Sequence, residues 1–234
     1  MYVLTAAHCV NTLKPNMLDV ILGDIDWTTR KESLELRKHV TEIQLHPEFG
    51  QRATFDHDFA LLKLQSSVEF HLYHFIRPVC LPFYDQIDAL EGEIGTIGGW
   101  GVVDPKVPTQ QANVLQKVNV KIIANSYCRS SYPVSSVTKS MFCARANGTD
   151  ACYGDSGGPF TVNRGGTHVL EGVISWGKNC AKQQWPGVYS RVGHVLRWIR
   201  DHTRDSHSCW QDTIDSFLSD KVKISNVDIL LNGE

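Results

Sequence analysis

The sequence predicts an all-β domain, and three observations support that prediction. Short runs of β-branched and aromatic residues alternate with clusters of Gly, Pro, Asn and Asp, a pattern typical of antiparallel strands joined by turns. The chain has 234 residues, a length at which all-β folds often form one domain. It contains neither internal repeats nor low-complexity segments. We therefore expect a sandwich or a barrel of antiparallel strands.

Five segments have the composition of strands, and one has the period of a helix. The strand candidates are MLDVILG (17–23), FALLKL (59–64), NVKII (119–123), HVLEGVISW (168–176) and GVYSRV (187–192). In GHVLRWIRDH (193–202), residues recur at steps of three and four, which predicts a helix with one buried stripe. The stripe consists of Val195, Trp198, Ile199 and His202.

The end of the chain differs in composition from the rest. Residues 205–234 are more polar and include no aromatic residue after Phe217. We predict that residues 1–204 form the domain and that 205–234 form a tail outside it. A second short helix is expected in this tail, around Ile214, Phe217 and Leu218.

Charge and hydropathy exclude two classes of partner. The formal net charge is −2 at pH 7, so the chain lacks the basic field that binds nucleic acid. A run of about 18 apolar residues is also missing, so we expect no membrane span.

The cysteines indicate an oxidising compartment. The seven residues are spaced widely and irregularly and do not form the paired CxxC knuckles of a zinc ribbon. A disulfide framework fits them better and predicts a secreted protein. The N-terminal MYVLTAAHCV is not a secretory signal, because it has no basic start. We therefore expect the chain to be a piece of a longer precursor.

The segment DACYGDSGGP (150–159) is the first candidate for chemistry. A serine hydroxyl becomes a nucleophile when a neighbouring base activates it, and glycines beside it leave main-chain N–H groups open to an oxyanion. The alternative is a tight surface turn, and the segment alone favours that alternative.

Two further segments change this balance. VLTAAHC (3–9) has His8 after a strand-like run, and FDHDFALLKL (55–64) has Asp58 before one. Alone, such a His is usually structural and such an Asp usually caps a turn. Together with Ser156 they give the chain order His, Asp, Ser of a chymotrypsin-type triad.

These segments belong to a longer resemblance. In order and spacing, LTAAHC, DFALLKL, RPVCLP, GGWG, CYGDSGGP, SWG and PGVYSRV are similar to motifs of the trypsin/chymotrypsin-like serine proteases, over residues 2–204. The resemblance implies two antiparallel six-stranded β-barrels with the catalytic residues at their junction, and a C-terminal helix. Domains of this family begin well before the TAAHC motif, so the first barrel is expected to be incomplete.

The resemblance also assigns the catalytic roles. Ser156 attacks the scissile carbonyl, His8 takes its proton as general base, and Asp58 orients His8 and stabilises its cation. The main-chain N–H groups of Gly154 and Ser156 correspond to the oxyanion hole. Asp155 corresponds to the carboxylate that pairs with a freed amino terminus.

Asp56 and His57 are competing candidates for the acid and the base. The family motif has its carboxylate directly before the apolar strand, which favours Asp58 over Asp56. We expect His57 to be solvated.

A specificity pocket is implied in the same way. Asp150 corresponds to its base and would select Arg or Lys through a charge-assisted contact. Gly177 and Gly187 correspond to its walls and would keep it open. Ala151 replaces a serine that helps some relatives to hold lysine, which favours arginine, whose fork pairs with a carboxylate unaided. The substrate would run beside Ser175, Trp176 and Gly177, with Phe55 and Trp176 lining apolar subsites.

Four cysteines match two disulfides of the family. The pairs are Cys128–Cys143 and Cys152–Cys180. A third family disulfide is missing at both ends, where Gly95 and Val162 replace its cysteines.

The other cysteines lack family partners in the printed chain. The partner of Cys9 lies upstream in the family, so Cys9 is expected to be unpaired here. Cys80 would tether the domain to an upstream regulatory chain, or would pair with Cys209 in the tail.

The segment GDIDWTTRKESLE (23–35) corresponds to a loop that binds calcium in many relatives. Asp24 and Glu35 are the weak candidate ligands. Arg30 and Lys31 lie between them and disfavour a cation, so calcium is a possible ligand and no cofactor is required.

The expected function is that of an extracellular serine endopeptidase that cleaves after arginine, and also after lysine, in a proteolytic cascade. Its partners would be protein substrates and protease inhibitors. The alternatives are a catalytically silent homologue that acts as a binding or regulatory module, and a digestive trypsin. The printed chain alone is expected to show at most trace activity, because it lacks the amino terminus that would pair with Asp155.

Overall fold

The structure is a computed structural model, and it describes residues 1–29, 35–73, 75–82, 90–146, 148, 150–182, 184–206 and 224–227. Most of the described elements are β-strands, and they form two sheets. The prediction of a mostly β fold is therefore confirmed.

The N-terminal part of the chain forms a half-barrel. Its strands are β1 (Tyr2–Thr5), β2 (Asp19–Leu22), β3 (Leu36–Leu45) and β4 (Ala60–Leu64). They pair antiparallel in the order β1-β4-β3-β2. Every residue of β1 is buried, as are all residues of β4 except Lys63. Both strands are apolar runs without alternation, which is the pattern of strands covered on both faces.

The second half of the chain forms a closed barrel. Its strands are β6 (Ile94–Gly99), β7 (Gln116–Ile123), β8 (Met141–Arg145), β9 (Pro159–Arg164), β10 (Thr167–Trp176) and β11 (Gly187–Arg191). They follow the order β11-β8-β7-β6-β9-β10, and β10 pairs with β11 to close the barrel. One closed six-stranded barrel and one half-barrel agree with the fold predicted from the sequence.

A short strand connects the two halves. Strand β5 (Val79–Leu81) runs parallel to β10, with Cys80 opposite Val169. On its other side it pairs antiparallel with β12 (Ile224–Val227). Four residues of the segment that the sequence assigns to a tail thus join the sheet. The helix expected around residues 214–218 lies outside the described residues.

Three helices are described, and the last of them joins the halves. They are α1 (Ala7–Val10), α2 (Asn125–Ser131) and α3 (Leu196–His202), the last preceded by a 3₁₀ turn at Val192–Val195. Leu196 and Ile199 of α3 are fully buried against residues of both sheets, among them Leu4 and Leu170. Truncating such a residue to alanine typically costs about 2–5 kcal/mol. The predicted stripe is correct for Val195, Trp198 and Ile199, whereas His202 is exposed.

Both predicted disulfides are present. Cys128–Cys143 joins α2 to β8, and Cys152–Cys180 joins the segment before Ser156 to the segment after β10. Gly95 and Val162, which replace the cysteines of a third bridge, lie directly opposite each other on β6 and β9. A Cβ at Gly95 would overlap the ring of Phe160, so a different core fills the place of that disulfide.

Among the described residues, no helix is both long and apolar enough to cross a membrane.

Candidate active site

His8 is held at the end of the half-barrel by the short helix α1. Strand β1 ends at Thr5, the backbone is extended at Ala6, and α1 begins at Ala7. This turn brings the main-chain N–H of His8 to 2.8 Å from Asp58 Oδ1, while His8 Nδ1 donates to Asp58 Oδ2 at 2.6 Å. The two bonds fix both the backbone and the ring of His8 on one carboxylate.

Asp58 is fully buried and lies directly before β4. A third donor reaches it from the closed barrel, since Ser175 Oγ donates to Asp58 Oδ2 at 2.6 Å. These three hydrogen-bond donors offset the free energy that it costs to remove the charged carboxylate from water. Burial by itself lowers the pKa of His8, but the bonds to Asp58 and Cys9 outweigh burial and raise this pKa above its ordinary value.

The second ring nitrogen of His8, Nε2, is not bonded to Asp58. Because Nδ1 donates to Asp58, the neutral ring carries its lone pair on Nε2. The His8 side chain is 25% exposed, so this nitrogen is accessible from the cleft. In the structure its hydrogen-bonding partner is Cys9 Sγ at 3.5 Å, and no bond from Ser156 Oγ is present among the described residues.

Ser156 lies in a turn between the half-barrel and the closed barrel. Gly154 and Gly157 have φ values of +94° and +84°, which glycine adopts without strain. The Gly157 N–H donates to the Ile174 carbonyl at 2.8 Å, and a Cβ at Gly157 would collide with Thr5 Oγ1. The glycine after Ser156 therefore allows the turn to pack directly against the segment that carries His8.

Open main-chain donors flank Ser156. The N–H groups of Gly154 and Ser156 have no acceptor among the described residues. Unpaired donors of this kind are what an oxyanion hole requires.

The carboxylate of Asp155 lies against the end of β6, beside Gly99 and Gly101. Its carboxylate accepts main-chain N–H bonds from Gly101 and Cys152, both at 2.8 Å. Cβ atoms at Gly99 or Gly101 would overlap it, so these glycines make room for the acid. Burial raises the pKa of Asp155 despite the two donors. The group also lines a cavity of about 220 Å³.

A second cavity of about 210 Å³ joins Ser156 to Asp150. Gly177 and Gly187 form opposite walls, since a Cβ at Gly177 would lie 3.9 Å from Cα of Gly187. A Cβ at Gly187 would lie 2.9 Å from Asp150 Oδ1. Any side chain at this position would thus close the cavity in front of the acid.

Asp150 is poised between its charged and neutral forms. Burial raises its pKa to about 6, although the N–H of Ala151 at 2.8 Å and the hydroxyl of Tyr189 at 3.4 Å both donate to it. No cation neutralises Asp150 among the described residues. A cationic side chain entering the cavity would supply the missing charge.

Comparison with known proteins identifies the family that has this arrangement. The family model described as Trypsin matches residues 1–199. The chain belongs to the trypsin family. It is 35% identical to coagulation factor XI of Bos taurus over 206 residues, which is 87% of this chain and 32% of that protein. It is 35% identical to trypsin-1 of Astacus astacus over 204 residues, or 85% of this chain and 82% of that protein.

A further relative is ovochymase of Halocynthia roretzi, 33% identical over 217 residues. The match covers 87% of this chain and 13% of ovochymase. The chain thus spans about a third of factor XI and a smaller part of ovochymase, but most of the crayfish trypsin. Trypsin-family membership makes it a serine-protease domain that needs no cofactor.

An aromatic wall flanks the cleft. The ring of Phe55 contacts the edge of His8 at a centroid distance of 5.3 Å and stacks on Trp176 at 6.0 Å. Tyr132 packs against Trp176 at 4.7 Å and against Trp185 at 5.4 Å. Phe55 and Trp176 were predicted from the sequence to line apolar subsites, whereas Tyr132 and Trp185 were not. The latter two lie in no local motif and join the wall through long-range packing.

A second Asp–His–Ser cluster lies beside the first, in Asp56, His57 and Ser140. Ser140 Oγ donates to Asp56 Oδ1 at 2.8 Å and accepts the main-chain N–H of His57 at 3.1 Å. The hydroxyl is bonded to the acid directly and to the backbone of the histidine, and no bond between it and a His57 ring nitrogen is present among the described residues. The ring Nδ1 of His57 lies 3.3 Å from Asp56 Oδ1 instead. All three residues are buried, and the expectation that His57 is solvated was wrong.

Packing explains why His57 is buried. Its ring stacks on His46 at a centroid distance of 4.7 Å, and His46 in turn packs against Trp198 at 4.9 Å. The residue has a φ of +47°, a left-handed conformation that the cluster around Asp56 holds in place.

The calcium prediction stays untested. Ca²⁺ takes about six to eight oxygen ligands, and the described residues contain no group of three or more His, Cys, Asp or Glu side chains that could hold a metal. Asp24 and Glu35 are described, whereas residues 30–34 between them are not. The two acids do not make a calcium site by themselves.

Proposed function

We propose that the chain is the catalytic domain of a secreted serine endopeptidase that cleaves after arginine and, less well, after lysine. The observation that carries the proposal is the cavity that joins Ser156 to Asp150. A long cationic side chain bound to Asp150 would hold the next carbonyl carbon beside the Ser156 hydroxyl.

The catalytic steps follow from the groups around that cavity. His8 Nε2 takes the proton of Ser156 while Oγ forms a bond to the carbonyl carbon. The resulting oxyanion is bound by the N–H groups of Gly154 and Ser156, and His8 returns the proton to the leaving amine. Water then repeats the sequence and releases the acyl group. Asp58 holds the imidazolium through the 2.6 Å bond to Nδ1.

Arginine suits this pocket better than lysine. The guanidinium fork can bond both oxygens of Asp150, whereas a shorter ammonium needs additional acceptors. Ala151 offers no hydroxyl for that purpose. The main chain of Ser175–Gly177 would bind the substrate backbone, which leaves discrimination between side chains to Asp150.

A role in an extracellular cascade is part of the proposal. Two disulfides support an oxidising compartment. Cys80 on β5 lies beside β12, and we propose that it tethers the domain to another part of its precursor. The alternative partner Cys209 lies outside the described residues.

The printed chain by itself is proposed to be nearly inactive. His8 Nε2 lacks a bond to Ser156, and the buried Asp155 has two amide donors but no cation among the described residues. A free amino terminus entering beside Asp155 would supply that cation and order the turn of Gly154. These same observations favour the second candidate function, a silent homologue that only binds.

A substrate panel tests the proposal. We would express the printed chain and an activated protein, meaning the chain with its natural upstream sequence after cleavage, and measure hydrolysis of arginyl, lysyl and phenylalanyl esters. The activated protein should prefer arginine, and Asp150→Ser should abolish the preference while Ser156 still reacts with a small phosphonate. Equal cleavage after phenylalanine and arginine would overturn the proposed specificity.

A second arm tests the role of Asp155. A hydrophobic dipeptide with a free amino group should raise the activity of the printed chain, and should fail to do so in Asp155→Asn. Turnover by the printed chain equal to that of the activated protein would show that Asp155 needs no cationic partner. No turnover by either protein would favour the silent homologue.

A further inference from the structure

Lys178 stands at the rim of the substrate cleft. It follows directly on Ser175–Gly177 and lines the same cavity as Ser156 and Asp150. Its side chain is exposed, and its Nζ lies 4.2 Å from the centre of the Trp185 ring. The cleft therefore has a negative charge in its depth and a positive charge at its rim.

The ring beneath Lys178 is held firmly. Trp185 packs against Tyr132 at 5.4 Å, and the Tyr132 hydroxyl donates to the Pro186 carbonyl at 2.5 Å. The main-chain N–H of Trp185 also donates to the Lys182 carbonyl at 2.9 Å. A cation over the face of a fixed indole loses less conformational freedom on binding a ligand than a free lysine does.

No carboxylate in the described part of the chain forms an ion pair with Lys178. Among the described residues the Lys178 ammonium contacts the Trp185 ring, and none of the ion pairs includes it. A cation–π contact leaves the ammonium charge in place, with donors still free for an acceptor. An anionic group of a bound ligand could therefore form an ion pair with Lys178.

The direction in which a substrate runs along the cleft determines which of its residues lies next to Lys178. An extended peptide that pairs antiparallel with Ser175–Gly177 has its arginine beside Ser175, and each preceding residue moves one step toward Gly177. The third residue back, counting the arginine as the first, lies beside Gly177. Lys178 is the next residue of the protein chain.

We propose that Lys178 selects substrates with Asp or Glu as the third residue back from the cleaved bond. The inference rests on the proposed function, since it places the substrate by Asp150 and Ser156. It adds that the preferred substrates carry an acidic residue two positions before the arginine.

Matched peptides test the selection. Each peptide would have arginine directly before the cleaved bond and Glu, Gln or Lys as the third residue back. The quantity measured is kcat/KM with the activated protein. Glu should exceed Gln by about two- to fivefold, the range of an exposed ion pair. The advantage should shrink as salt rises from about 0.05 to 1 M.

Variants at the rim separate Lys178 from its neighbours. Lys178→Gln should remove the Glu advantage, so that the ratio of kcat/KM for the Glu and Gln peptides falls to about one, and Lys178→Glu should make the Lys peptide the preferred one. Lys182→Gln is the matched control, because Lys182 is an exposed lysine four residues further on. It should leave the Glu advantage intact.

A binding assay keeps the inference distinct from the proposed function. The same peptides, with arginine or phenylalanine before the cleaved bond, would be titrated into the Ser156→Ala protein. Equal binding of the arginine and phenylalanine series overturns the proposed function. Tighter binding of the arginine series with equal affinities for Glu and Gln overturns only the role of Lys178.

Discussion

Two clusters of the same residue types have their acids, Asp58 and Asp56, two positions apart in the chain, and their histidines are oriented differently. In the first, Asp58 bonds the ring of His8, whose other nitrogen reaches the cleft. In the second, Asp56 bonds the Ser140 hydroxyl directly, and His57 contributes its backbone N–H to that serine. The presence of Asp, His and Ser together therefore does not define a catalytic site; the orientation of the imidazole does.

The charges around the two acids differ as well. Asp58 accepts from a histidine and a hydroxyl, both of which can exchange protons. Asp56 accepts from Arg52 Nε at 2.7 Å and from the hydroxyl of Thr138 at 2.7 Å. Burial alone would raise the pKa of Asp56, but the bonds to Thr138, Arg52 and Ser140 lower it to about 2. Asp56 is thus a fixed anion that ties the half-barrel to the segment before β8.

The largest contrast is expected between the two serines. In the activated protein, Ser156→Ala should lower kcat by about a millionfold, the scale found when a triad nucleophile is removed. Ser140→Ala should retain most activity and lose about 1–3 kcal/mol of stability, because Asp56 loses one donor. Labelling with a radioactive phosphonate and peptide mapping would measure this. Label on Ser140 would exchange the roles that we give to the two clusters.

Substitution of the two acids should also change kcat to very different extents. Asp58→Asn should lower kcat by about 10⁴-fold, because the amide favours the wrong tautomer of His8. Asp56→Asn keeps an acceptor for Thr138 and Ser140 and should lower kcat less than about tenfold, with a stability loss of about 1–3 kcal/mol. Steady-state kinetics beside thermal unfolding would separate the effects. A larger kcat loss in Asp56→Asn than in Asp58→Asn would contradict the comparison.

The first cluster could be predicted from the sequence because its residues lie in motifs. His8, Asp58 and Ser156 each lie in a motif long enough to identify the family, and the contact of His8 with Asp58 follows from the resemblance. The strands could be predicted from apolar runs of residues. The disulfide pairs could be predicted because the four cysteines are at positions that match the family. Gly177 and Gly187 were likewise assigned to the walls of the specificity pocket from the resemblance.

The second cluster could not be predicted because its partners are distant in sequence. Thr138 and Ser140 meet Asp56 across 82 and 84 residues, and neither lies in a motif. His57 was expected to be solvated because a polar residue in a loop usually is. Burial here depends on the stacking with His46 and on Trp198 behind it, which no local pattern reveals. The same limit explains why Lys178 and Trp185 were missed.

A third test uses the opposite pKa shifts of two buried acids. Burial raises the pKa of Asp150 to about 6, whereas Asp56 remains ionised far below that pH. Binding of a small aromatic amidine should therefore be constant above pH 6 and weaken about tenfold per pH unit below it, as Asp150 takes up a proton. Fluorescence titration would measure the affinity. Asp150→Ser should bind weakly at every pH, and a wild-type affinity that is flat from pH 7 to 5 would contradict the assignment of Asp150.

The smallest effect concerns His46, which supports the second cluster by stacking on His57. Burial, together with the nearby His57, lowers the pKa of His46 to about 4, and His46 Nδ1 accepts the Glu48 N–H at 3.2 Å, a bond that requires the neutral ring. As the pH falls below about 6.5, the unfolded chain takes up a proton at His46 while the folded protein does not. Stability should therefore fall between pH 6.5 and 4 and then level off, by about 1–2 kcal/mol after allowance for the partly solvated site. Asp56 titrates near 2 and leaves this window unchanged. In His46→Asn, whose side-chain oxygen can accept the same N–H, urea unfolding should show a shallower dependence on pH. An unchanged slope in this variant would mean that His46 takes up its proton as readily in the folded protein as in the unfolded chain.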